Sequence, residues 1–235
     1  MTRRAGGLLA LAVLLALVAA GGRVREALMG MEAFRVTDVE LEGGLHLTRD
    51  EAAAAAAVPP GASVWDDPTP WEERLRAHPL VRAARVRKRL PGTLVLVVEE
   101  REPVGLLPTP TLEPVDGEGR ILPLDPAADA LDLPLVRVDL TDPGRLRILA
   151  GELARLGRVD PAFLGGVSEV AADERGDVVA SWGVPMVTFR FRPRTPPRRL
   201  KEGLRALAHA TDRKGGGAPR AVDLRWADQV VVSVR

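Results

Sequence analysis

The sequence predicts an α+β fold: an apolar N-terminal helix, a βααββ domain, and then a mostly antiparallel β domain with two helices. Three observations carry this reading. An uncharged run fills residues 5–22, a Pro91-Gly92 turn joins two strand-like segments directly after helical signals, and beyond Pro103 short apolar pieces alternate with turn residues. With 235 residues, 46% of them hydrophobic and 28% charged, the chain can bury one or two ordinary cores and is not disordered. Its net charge of +1 supplies no bulk field for nucleic acid or an anionic membrane, so any basic site must be local. The absence of cysteine excludes disulfides and thiolate metal sites.

The uncharged run, AGGLLALAVLLALVAAGG, lies between Arg3-Arg4 and Arg23. As a helix it would span about 27 Å, close to the thickness of a bilayer's hydrocarbon core. We place a cytoplasmic tail at 1–4, a transmembrane helix at 5–25, and the bulk of the chain on the outer side of the cytoplasmic (inner) membrane. The competing reading is a cleaved signal peptide, because Val18-Ala19-Ala20 ends in small residues.

The βααββ domain is expected at 34–103. Residues 34–42 read as a strand whose phase change at Asp38 suggests a bulge, and Gly43-Gly44 breaks it. Thr48 and Glu51 form a capping box that opens a helix through the alanines 52–57, and Pro59-Pro60-Gly61 ends it. Thr69-Pro70-Trp71-Glu72 repeats the device, placing Trp71, Leu75 and Leu80 on one face. A hairpin follows. Ala84, Val86 and Leu90 alternate with Arg85, Arg87 and Arg89, Pro91 presets φ at the first corner, and Gly92 takes the positive φ of the second. Residues 94–98 are almost uniformly apolar, as in a central strand covered on both faces.

The order strand, helix, helix, strand, strand, together with Pro79 and Val81, Ala84, Val86 and Arg87, Pro91, Thr93-Leu94, Glu100-Arg101 and Pro103-Val104, resembles a POTRA domain of the form found in the bacterial cell-division proteins FtsQ or DivIB.

The second domain is expected at 104–235. Strands at 104–107, 112–115 and 121–124 read as a meander with a tight connection at 116–119, followed by a loop at 125–134 and a strand at 135–140. Leu146, Leu149, Leu153 and Leu156 mark a helix between Pro143 and Gly157. Strands follow at 167–171, 178–182 and 187–191, then a helix from Pro197 with a Leu200, Leu204, Leu207 stripe, a linker at 214–217, and the strands of VDLRWADQVVVSVR. That ending resembles the terminus of FtsQ.

No catalytic constellation is visible. Ser63, Ser168, Ser181 and Ser233 sit in no nucleophile elbow, and His46, His78 and His209 lack ligand spacing. The acid pairs Asp66-Asp67 and Glu99-Glu100 point to opposite sides and read as solvated charge. We therefore expect no enzyme, cofactor, metal, small-molecule substrate or nucleic acid. Arg190, Arg192, Arg194, Arg198, Arg199, Lys201 and Arg205 form the densest basic run. It reads as wet surface, with lipid head groups or an acidic partner as the sharper alternative, and Arg85, Arg87 and Arg89 carry the same ambiguity.

The positive expectation is a binding module. Residues 229–234 are β-branched and, at a sheet edge, could accept a strand from another protein beside Trp226 as an aromatic anchor. Alternatively Trp226, Val230 and Val232 fill a core. The FtsQ resemblance implies the first, because family members take a strand from an FtsB-type coiled-coil partner at this edge. On that resemblance Arg225, Trp226, Asp228, Gln229, Val230, Val231, Val232 and Val234 are the partner-binding residues. It further implies a membrane-embedded scaffold of the division complex that recruits FtsB/FtsL-like single-pass proteins and contacts other division components through the POTRA domain. The alternatives are a POTRA-containing outer-membrane assembly or secretion component and a secreted hydrolase.

Overall fold

The structure, a computed structural model, describes residues 31–213 and 217–234; the helix expected at 5–25 and most of the 214–217 linker lie outside them. No helix among the described residues is long and apolar enough to cross a membrane. The chain divides into two units, one ending at Glu100 and the other starting at Arg101.

The first unit contains β1 (Asp38–Glu42), α1 (Arg49–Ala56), α2 (Thr69–Arg76), β2 (Val81–Arg89) and β3 (Thr93–Glu100). Its sheet has the order β1-β3-β2, with β1 parallel and β2 antiparallel to β3. The first strand is shorter than the alternation suggested. Phe34 belongs to a 3-10 turn at Glu32–Phe34 and packs edge-on against Trp65 at 5.7 Å, so the phase change marks a break before β1 instead of a bulge within it. The capping box at Thr48 and Glu51 is present. Its expected repeat is not, because Pro68 caps α2 without a side-chain bond. The Thr69 hydroxyl donates to Asp67, and Glu72 accepts the Val86 N–H at 2.9 Å. Trp71, Leu75 and Leu80 are buried as expected.

The hairpin corner also differs. The Leu90–Pro91 bond is cis, Gly92 is not among the glycines with positive φ, and Leu90 is exposed. Glycine is required at 92 for another reason. A Cβ there would lie 2.5 Å from the Arg35 carbonyl oxygen, where the chain passes to let Thr37 N–H donate to Gly92 O at 2.8 Å. β3 is central, and its two faces are covered differently. Leu94, Leu96 and Val98 are buried on one face. On the other, Val95 is 3% exposed and aligned with Arg87 of β2 and Glu40 of β1; across β3, Arg87 pairs diagonally with Glu42, and Arg89 with Glu40 at 2.5 Å. The long arginine stems shield the valine while their charges stay wet.

The second unit contains β4 (Pro103–Pro108), β5 (Leu112–Asp116), β6 (Leu135–Arg137), α3 (Pro143–Val159), α4 (Pro161–Leu164), β7 (Val167–Ala172), β8 (Val178–Trp182), β9 (Val187–Phe191), α5 (Pro197–Thr211), β10 (Pro219–Asp223) and β11 (Val231–Val234). The eight strands form one sheet in the order β5-β4-β6-β7-β8-β9-β10-β11. It is mostly antiparallel, as expected, but mixed: β4–β6, β6–β7 and β9–β10 pair in parallel and the other four pairings are antiparallel. The short α4, capped by Asp160, is a third helix that the sequence reading did not contain. Nor does 121–124 make a meander strand. Ile121 forms one bridge to Val115, and β6 ends at Arg137 instead of running to 140.

Register places Val136, Val170, Ala180, Phe189, Val222 and Val232 in one row across six strands. These residues share a core cluster with Leu146, Leu149, Leu153 and Leu156 of α3 and Leu200 and Leu207 of α5, so both helices cover the same face. Phe163 lies 5.3 Å edge-on from Phe189, and Trp182 donates its indole N–H to Phe163 O at 2.9 Å.

Candidate partner-docking edge

An unpaired strand edge is a template for another chain, and folded proteins usually block such edges. In the first unit the borders are β1 and β2. At β2, Glu72 occupies the outward N–H of Val86, while the Lys88 ammonium reaches Asp66 O at 3.1 Å. At β1, Arg49 Nε donates to Val39 O at 2.5 Å. In the second unit the β5 border is lined by a returning loop: Leu122 N–H donates to Pro114 O at 2.8 Å and Asp116 N–H to Arg120 O at 2.9 Å. The fourth border is β11. Among the described residues, β10 is its one neighbour in the sheet.

The outward groups of β11 follow from the ladder. Leu224 N–H donates to Arg190 O at 2.8 Å, so Leu224, and by the two-residue period Val222, turn their backbone groups toward β9. Ala221 and Asp223 therefore turn toward β11, where Ser233 and Val231 stand opposite them. Val230, Val232 and Val234 are left with N–H and C=O directed away from β10.

Side chains along this border divide by burial. Val230 and Val232 are partly buried against the core cluster, as the core-filling alternative would have them, whereas Val231 and Val234 are exposed at 42% and 51%. Trp226 does not fill the core. The chain has four phenylalanines, four tryptophans and no tyrosine, and Trp226, at 55%, is the exposed one among them. Asp228 and Gln229 are exposed beside it.

Arg225 is held by carboxylates. Its guanidinium bonds Asp223 at 2.6 Å and lies 3.5 Å from both Asp173 and Asp177. The bond from Arg225 holds the Asp223 carboxyl below the usual carboxylate range, against the opposing pull of partial burial. Arg225 thereby ties the end of β10 to the turn between β7 and β8.

Sequence reasoning missed Arg199, which it placed in a wet basic run. The side chain is 12% exposed; Nη2 donates to Trp226 O at 2.7 Å and Gln229 O at 2.8 Å, and Nη1 pairs with Glu202. Its one sequence signal is its place flanking the Leu200, Leu204, Leu207 stripe. Arg87 and Arg89 likewise are engaged, with Glu42 and Glu40. No group of three or more His, Asp or Glu side chains among the described residues could hold a metal ion.

Residues 34–101 match the family model described as "POTRA domain, FtsQ-type". A cell division protein FtsQ from Syntrophotalea carbinolica is 28% identical over 159 residues, 67% of this chain and 55% of that protein. FtsQ from an Anaeromyxobacter strain is 32% identical over 64% of this chain and 54% of its own length, and FtsQ from Rhodothermus marinus is 29% identical over 88% and 80%. The chain carries an FtsQ-type POTRA domain and is a relative of the FtsQ/DivIB division proteins. It spans about half the length of the first two of these relatives.

The POTRA residues that carry the likeness have visible tasks in the first unit. Glu100 accepts the N–H groups of Leu45, His46 and Leu47 at 2.8–3.0 Å, closing the loop before α1. Asp66 accepts Ser63 N–H at 2.8 Å. Glu100 and Asp66, expected to be solvated, are thus local fasteners, whereas Glu99 is solvated as expected. Arg101, the first residue of the second unit, bonds Asp116 at 2.7 Å, both side chains being at most 10% exposed.

Proposed function

We propose that the protein is a non-enzymatic, membrane-anchored scaffold of the bacterial division complex, and that it recruits FtsB/FtsL-type single-pass coiled-coil proteins by strand addition at β11. The observation that carries this is the contrast among borders. Three have side chains or a returning loop on their backbone groups, while β11 presents those of Val230, Val232 and Val234 next to an exposed tryptophan. A visiting strand would gain main-chain bonds from the valines and apolar contact from Trp226, with Val231, Val234, Asp228 and Gln229 around it. Arg225 contributes by holding the end of β10. The relatives are division proteins, which favours this role over outer-membrane assembly. Anchoring falls to residues 5–25, and mass measurement of the mature chain distinguishes an anchor from a cleaved leader.

The decisive comparison is Val234→Pro against Val231→Pro, with the extracytoplasmic segment of the same organism's FtsB-type protein as probe. Val234→Pro removes an outward N–H at an exposed position, so the variant should fold normally and bind about tenfold or more weakly. Val231→Pro removes an N–H of the β10–β11 ladder and should lower the thermal midpoint as well. Undiminished binding by folded Val234→Pro and Trp226→Ala variants overturns strand addition at this border.

A further inference from the structure

Between Asp223 and Val231 the chain has no regular structure, and Trp226, Ala227, Asp228 and Gln229 are all exposed. Such a connection has little apolar burial to select one conformation, so polar contacts must offset the entropy of ordering it. Asp223 and Arg225 fix its beginning. Its remainder is gripped by Arg199, whose Nη2 holds the carbonyls of Trp226 and Gln229 together. Glu202 orients the guanidinium through Nη1. Nearly buried and charged, the donor makes stronger bonds to the carbonyls than a wet, neutral one would.

The grip has a directional result. A trans peptide is planar, so the Gln229 carbonyl and the Val230 N–H point in opposite directions. Holding Gln229 O on Arg199 fixes the plane of the Gln229–Val230 peptide, and with it the direction of the Val230 N–H at the start of the border that the strand period continues to Val232 and Val234. We propose that Arg199 is a positioning residue for the docking border: it fixes the 226–229 connection, and through it the first outward donor and the register in which a visiting strand pairs. The ordering stands on this chain alone; the register of docking rests on the strand-addition reading. Lysine cannot replace the guanidinium, since its one nitrogen on a flexible stem lacks the second, coplanar nitrogen through which Glu202 orients the donor that meets both carbonyls.

The test uses the full chain with Arg199→Gln and Arg199→Lys. Amide hydrogen exchange should rise about tenfold or more at Val231 and Ser233, the β11 positions turned toward β10, in both variants, while the amides of β7 and β8 keep their protection and report that the unit is folded. Unchanged exchange at Val231 and Ser233 overturns the proposal. Because the chain has no cysteine, Val234→Cys introduces a single thiol for cross-linking to the FtsB-type segment scanned with cysteine. One partner position should cross-link in the Arg199 background and two or more neighbouring positions in Arg199→Gln. The same single position in both overturns the register role. If the segment fails to bind even with Arg199 present, the strand-addition reading falls, and exchange alone decides the clasp.

Discussion

Glu100 shows how one carboxylate can close a loop. It accepts three successive N–H groups, of Leu45, His46 and Leu47, while its neighbour Glu99 faces solvent and pairs with Arg82. Glu100→Ala would strand those donors and should cost about 2 kcal/mol, read as a lowered urea midpoint of the first unit, with Glu100→Gln intermediate. Asp223 gives a pH signature. Its pKa is depressed in the folded state by Arg225, so its contribution is present above the unfolded value of about 3.9 and is lost as pH falls through the lower folded value. The thermal midpoint of the second unit should drop across that acid window, and Asp223→Asn should flatten the limb. At Gly166 a Cβ would lie 2.3 Å from Trp182 Nε1. Gly166→Ala should push the indole off Phe163 O, costing about 2 kcal/mol and shifting tryptophan emission.

At the scale of elements, much was legible where local pattern decides. Val178–Trp182 and Val187–Phe191 coincide with the expected strands because alternation on both sides of Gly183 is a local signal. The Thr48 cap and the α3 leucine stripe are local too. Pairing is not. Nothing in the period of β6 says that its neighbours run parallel to it, and the alternation at 121–124 cannot show that Leu122 is buried while Ile121 is exposed. The site follows the same division. Trp226 and the valines are visible as apolar residues near the chain's end, but their availability depends on which border β11 occupies. Arg199 reaches carbonyls 27 and 30 positions away, a relation no spacing rule encodes.

At the scale of the whole molecule, each unit has its own sheet and buried residues. Separate fragments ending at Glu100 and beginning at Arg101 should therefore each fold and unfold cooperatively. Circular dichroism of the two fragments should add to that of the full chain over the same residues. A fragment starting at Arg101 that stays unfolded in buffer would refute this.

The parallel join between β9 and β10 has a temporal consequence. Unlike a hairpin, it cannot close until α5 and β10 have been synthesised, and β11, whose neighbour is β10, joins the sheet only through that closure. On the strand-addition proposal, an incomplete polypeptide, or one cleaved within α5, would offer its ally nothing to grasp. If β11 docks a partner as proposed, readiness to recruit thus doubles as a certificate that the second unit has finished folding.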